Sequence, residues 1–187
     1  MKRLSVMLGL MWCLSAAADE VIPPVPTQYF NDYANVVSAT NAALLNSTLA
    51  NYEQESSDQI VVAVFPKMQS DAPIKDYTLR VANSWKVGQK GKNNGVTLFV
   101  FVQDHKMYMQ VGSGLEKVLP DANCQQILDT KIIPQFKKGN YDGGLSAGVA
   151  AIIAATKGTY QGNGLTVKQA QDQGTNAAAI DGAAQFP

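Results

Sequence analysis

The stretch WKVGQKGKNNGV (85–96), TLFVFVQDHKMYMQVG (97–112), SGLEKVLPD (113–121) decides the fold. Its near-continuous apolar run from Gly95 to Val102 is too short for a helix and rich in β-branched and aromatic residues, the pattern of a strand buried on both faces. Gln103-Asp104-His105-Lys106 reads as a turn, and Met107 to Val111 as the returning strand of a hairpin. Gly95 opens the first strand and Gly112 closes the second, so the pairing brings two glycine-bearing loops to one end of the sheet. Asp104 belongs to the opposite end.

Working outward, Gln59 to Phe65 is a second valine-rich run, ended by Pro66, and reads as a central strand. Between the two strands, Ile74, Tyr77, Val81 and Trp85 recur at helical spacing. A helix opening at Asp71–Pro73 and stopped by Gly88 therefore crosses over between them and makes them parallel. Before the first strand, Ser38 sits where a helix cap belongs, and Leu44, Leu45, Thr48, Leu49 and Tyr52 mark a helix to about Gln54. After the hairpin, Pro120–Asp121 starts a helix holding Cys124, Ile127, Leu128, Ile132 and Phe136. A break at Lys138-Gly139-Asn140 precedes a last helix from Tyr141 to Ala155, whose small residues permit close packing. The order helix, strand, helix, strand, strand, helix, helix predicts an α/β fold, a three-layer α/β/α sandwich with a mixed central sheet.

Lys2 and Arg3, the apolar run Leu4–Leu14 and the small residues Ser15–Ala18 have the layout of a secretory leader, with cleavage expected after Ala18. The organisation expected is a leader at 1–18, an extended proline-rich lead-in at 19–28, one domain at 29–158 and a flexible polar tail at 159–187. No membrane span is expected once the leader is removed. Processing takes two basic residues from the 15 basic and 15 acidic residues of the chain, leaving the mature protein at −2. Arg80 is then the one arginine left, without the clustered basic stripe that nucleic acid requires. Cys124 is the one cysteine left, so no internal disulfide can form, and its neighbours make it a buried thiol.

At the Gly95–Gly112 end the oxygen donors are Asn93, Asn94, Glu116, Asp121 and loop carbonyls. Carboxylate, amide and carbonyl oxygens suit a hard cation such as Ca²⁺, whereas zinc wants histidine and cysteine, of which the mature chain has one each. The same residues have plainer readings: Asp121 as a helix cap, Asn93-Asn94-Gly95 as a turn, Glu116 as a solvated acid, Asp32 as a brace for the loop before the first helix. His105, the sole histidine, has no serine or cysteine placed to make it a triad base. Gly112-Ser113-Gly114 lacks the lysine and spacing of a phosphate loop.

The motifs NDYA (31–34), WKVGQKGKNNGV (85–96), VGSGLE (111–116), LPD (119–121) and IIPxFxxGxYxxGL (132–145) resemble the TPM domain family, in the right order and over about Tyr29 to Gly158. The resemblance implies an exported, periplasmic or secreted α/β/α domain with an acidic depression that binds calcium or a related divalent ion in some members. A plant thylakoid-lumen relative is associated with acid phosphatase activity and photosystem II repair, and an animal relative is an auxiliary receptor subunit. The resemblance carries a metal site over onto Asp32, Asn94, Glu116 and Asp121. It implies an envelope or membrane-protein partner, and, for a metal-assisted phosphatase, Asp32 and Glu116 as the catalytic acids. Asn93 and Gln103 stand where the family pattern has acids, which removes negative charge from this chain.

Overall fold

The computed structural model describes residues 20–157, so the expected leader and the whole of the expected tail lie outside the described residues. Four strands form one mixed sheet in the order β1 (Phe30–Asp32), β2 (Gln59–Phe65), β3 (Gly95–Phe101), β4 (Lys106–Val111). The first three are parallel and β4 returns antiparallel to β3. The expected hairpin and the parallel crossover are both present.

β1 was not expected. Three residues carry too little pattern to read, and Asn31 and Asp32 disfavour a strand locally. Tertiary partners impose it: the Val62 amide donates to the Tyr29 carbonyl at 2.7 Å, and the Tyr33 amide to Val64 at 2.8 Å. The amides of Tyr29 and Phe30 are held by Asn46 Oδ1 on the first helix.

Helices cover both faces of the sheet. α1 (Ala39–Ser56), α3 (Asp121–Ile127) and α5 (Tyr141–Thr156) pack on one face. Their Leu45, Leu49, Ile127, Leu145, Val149 and Ile152 meet the even-numbered residues of β2 and β3 with Met109 and Val111 of β4. α2 (Ile74–Trp85) covers the other face, where Tyr77, Val81 and Trp85 meet Val61, Ala63, Phe99 and Phe101. Side chains of one strand alternate between the two cores, which is why β2 and β3 read as unbroken apolar runs.

The helix expected from Pro120 to Phe136 is continuous in path but not uniform. A π-helical stretch, Leu128–Ile132, separates α3 from α4 (Ile133–Phe136). Pro134 has no amide proton to give the carbonyl one turn back, and the wider turn absorbs that loss.

The lead-in crosses the outside of α2. Trp85 Nε1 donates to the Pro23 carbonyl at 2.9 Å, and the Tyr77 hydroxyl to the Val21 carbonyl at 2.8 Å. Arg80 grips the Glu20 carboxylate through Nε and Nη2, and this grip, with the Ser70 hydroxyl, holds that carboxyl down at about 2.

Candidate functional site: the rim where two glycine loops meet

Gly95 and Gly112 do converge. The Gly112 amide donates to the Gly95 carbonyl at 2.8 Å, and the Gly114 amide to the Asn93 carbonyl at 3.0 Å. A Cβ at Gly112 would run into the Asn93 carbonyl, so the approach of the two loops requires glycine there. Asn93 adopts a left-handed φ of 49° and its Nδ2 donates to Ser113 Oγ at 3.2 Å. Ser113 and Glu116 are exposed on the second loop, while Leu115 between them is buried in the core.

Asn94 turns the other way. Its side chain is fully buried: Oδ1 accepts from the Gln89 amide at 2.9 Å, and Nδ2 donates to the Ser57 carbonyl at 2.7 Å and to Asp58 Oδ1 at 3.1 Å. It is a joint between the loop and the start of β2, with no oxygen turned outward.

Asp32 lies on the opposite rim. It is level with Val64, which is paired with Val100, whereas Asn94 precedes β3. Six residues of strand, roughly 20 Å, separate those levels. The Asp32 carboxylate accepts from the amides of Ala34 (3.0 Å), Val36 (2.8 Å) and Val37 (2.8 Å). It braces the turn into α1. Asp104 occupies that same rim, where its Oδ2 accepts from the Met68 amide at 2.7 Å.

Asp121 opens α3 without capping it; its Oδ2 lies 3.6 Å from Lys75 Nζ on α2. The four residues of the expected metal set are therefore not brought together. Asp32 is a strand length away, Asn94 is spent inside the fold, and Asp121 faces a lysine. A six- to eight-oxygen calcium cage does not fit them as one site. Among the described residues, no group of three or more histidine, cysteine, aspartate or glutamate side chains is placed to hold an ion.

A buried acid that sequence reasoning passed over lies under this rim. Asp58 is fully buried, and burial raises its carboxyl to about 6 against the hydrogen bonds of Asn94 and Tyr52 and the charge of Lys92. Tyr52 Oη lies 3.4 Å from Asp58 Oδ2 and 2.8 Å from Thr156 Oγ1. The network ties the ends of α1 and α5 to the starts of β2 and β3. The available signal was the placement of Asp58 directly before a strand buried on both faces.

Cys124 is buried, and desolvation pushes its thiol up to about 12, which suits the inert reading. His105 sits in the β3–β4 turn with φ 51°, on the rim opposite the glycine loops.

The TPM domain family matches residues 30–155, and the chain belongs to that family. An N-terminal domain from a P. gingivalis protein has 32% identity and a TM-score of 0.65, over 72% of this chain and 85% of that one. Two further solved structures share the fold. The BA42 protein of the psychrophilic bacterium Bizionia argentinensis has 22% identity and a TM-score of 0.58, over 68% of this chain and 86% of that one. An N-terminal domain from Corynebacterium glutamicum has 12% identity and a TM-score of 0.54, over 75% and 87%. Among curated proteins there is no match. Among the described residues, no helix is long and apolar enough to cross a membrane.

Proposed function

We propose that the chain is an exported, periplasmic or secreted, binding module of the cell envelope that engages an envelope or membrane-protein partner and performs no reaction of its own. The observation that carries this reading is the commitment of Asp32, an acid that the phosphatase reading needs: three backbone amides take its carboxylate, at the rim opposite Glu116. The leader-like first 18 residues support export.

Calcium enters this reading as a weak ligand of the Gly95–Gly112 rim. Glu116 would supply the ionised oxygen, with Ser113, Asn93 and loop carbonyls beside it. One carboxylate on an open loop belongs to the affinity class of roughly 0.1–1 mM seen in extracellular modules. Calorimetric titration of the mature protein with Ca²⁺ tests it. Heat in that range that disappears in Glu116→Gln supports the ion, and no heat from the unaltered protein at 10 mM removes it, about tenfold above that class.

The phosphatase reading needs Asp32 and Glu116 to act on one phosphoester. They stand on opposite rims, so the proposal predicts no turnover of a chromogenic phosphoester. Turnover abolished by Glu116→Ala would reverse it in favour of a hydrolase.

A further inference from the structure

Among the described residues β4 is an edge strand, paired with β3 on one side. Because the Gly112 amide bonds Gly95, the alternation of an antiparallel ladder turns Gln110, Tyr108 and Lys106 toward β3. The amides and carbonyls of Met107, Met109 and Val111 face outward. Natural sheets cover, charge or pair such an edge.

A cavity of about 320 Å³ runs along this edge, between β4 and α3. Tyr108 and Met109, which point to opposite faces of the sheet, both line it, and Cys124 and Leu128 form its apolar floor. Asp121 stands at its mouth, paired with Lys75 from the far side of the sheet. That pair is long and exposed, with the side chains 62% and 83% accessible, and an arriving strand can displace it. An open edge beside a helix-walled apolar groove is the form that accepts an added peptide strand.

The occupant is indicated by where the domain's last helix ends. Thr156 bonds Tyr52 beside Asp58, so α5 finishes on the same rim as Val111 and on the same face of the sheet as α3. The sequence continues to residue 187, and Gly164-Leu165-Thr166-Val167-Lys168 alternates apolar with polar. From Lys157 to Leu165 an extended chain spans roughly 25 Å. The whole four-stranded sheet is only about 15 Å across. A segment leaving that rim and laid along β4 runs antiparallel to it, since β4 runs toward the rim.

We propose that the free edge of β4 is the docking site of the chain's own carboxyl-terminal extension, with Leu165-Thr166-Val167 added as a fifth strand. Leu165 and Val167 enter the groove over Met109 and Leu128, and Thr166 faces the side of α2. The extension thereby closes the edge that would otherwise recruit other chains.

Amide hydrogen exchange on the complete mature protein tests the proposal, with Tyr108 and Gln110 as internal controls for an intact hairpin. The expected result is protection of the Met109 and Val111 amides, lost by roughly tenfold or more in Val167→Pro and in Leu165→Asp while the controls are unchanged. Exchange of Met109 and Val111 at the rate of exposed amides overturns it, as does protection that survives both substitutions. Protection that rises with protein concentration also overturns it, because the occupant is then a second copy.

Discussion

Asn94 Nδ2 donates to the Asp58 carboxylate at 3.1 Å inside the protein, joining the residue before β3 to the residue before β2. Both residues are fully buried. This contact sits where α1, α5 and two strands meet, so its protonation state matters to the stability of the whole domain.

The folded chain binds the Asp58 proton more tightly than the unfolded chain does, because burial raises the carboxyl from 3.8 to about 6. This group's contribution to stability is therefore fully present below pH 4 and is lost as pH rises through 6. The difference amounts to about 3 kcal/mol. In Asp58→Asn the charge is gone, so the midpoint of urea unfolding should rise at pH 7.5 and its dependence between pH 4 and 7 should flatten. A variant with an unchanged pH profile would show that Asp58 is not the titrating group.

Asp32→Ala removes the acceptor for three backbone amides at the entry to α1. Stability should fall by about 2–3 kcal/mol, in line with lost hydrogen bonds to a charged group. The calcium heat of the mature protein should be unchanged. Loss of that heat in a variant that remains folded would return Asp32 to the ion's neighbourhood.

Gly112→Ala drives a Cβ into the Asn93 carbonyl, a backbone atom that cannot rotate aside. The two loops must separate, at a cost of about 2–4 kcal/mol, as for other forced overpacking of a close backbone approach. Gly91→Ala is the contrast. Gly91 has a left-handed φ, 78°, which Gly112 does not, but a Cβ there meets nothing within 4 Å. It should cost about 1–2 kcal/mol, from backbone strain alone. Equal unfolding midpoints for the two variants would refute the steric account.

Cys124 should resist modification. With its thiol pushed up to about 12 and its side chain buried, the thiolate at pH 8 is scarce. Its reaction with an aromatic disulfide reagent should be at least roughly a thousandfold slower than that of an unperturbed cysteine. Recovery of the normal rate in urea would separate burial from chemical loss of the thiol, and fast labelling of the folded protein would contradict the structure.

The sequence carried the hairpin, the crossover helix and both buried strands because each rests on local periodicity and turn chemistry. Val61 and Val62 announce two cores simply by both being apolar. β1 was illegible for the opposite reason: Phe30, Asn31 and Asp32 have no strand pattern and take that form from the edge of β2. The rim was half legible. Glycine spacing brought Asn93 and Gly114 together, but no pattern tells which way a buried amide turns, and Asn94 turns inward to Ser57 and Asp58.

By itself, then, the chain's order of residues determined the α/β class, the parallel crossover and the meeting of two glycine loops, since hydrophobic period and turn residues act over a few neighbours. Only the tertiary structure decided which acids share a neighbourhood. Asp32 and Glu116 fall at opposite rims of the sheet, and Asp58 is buried where α1, α5, β2 and β3 meet. Those placements depend on register and packing between segments far apart in the sequence, and no local pattern encodes them.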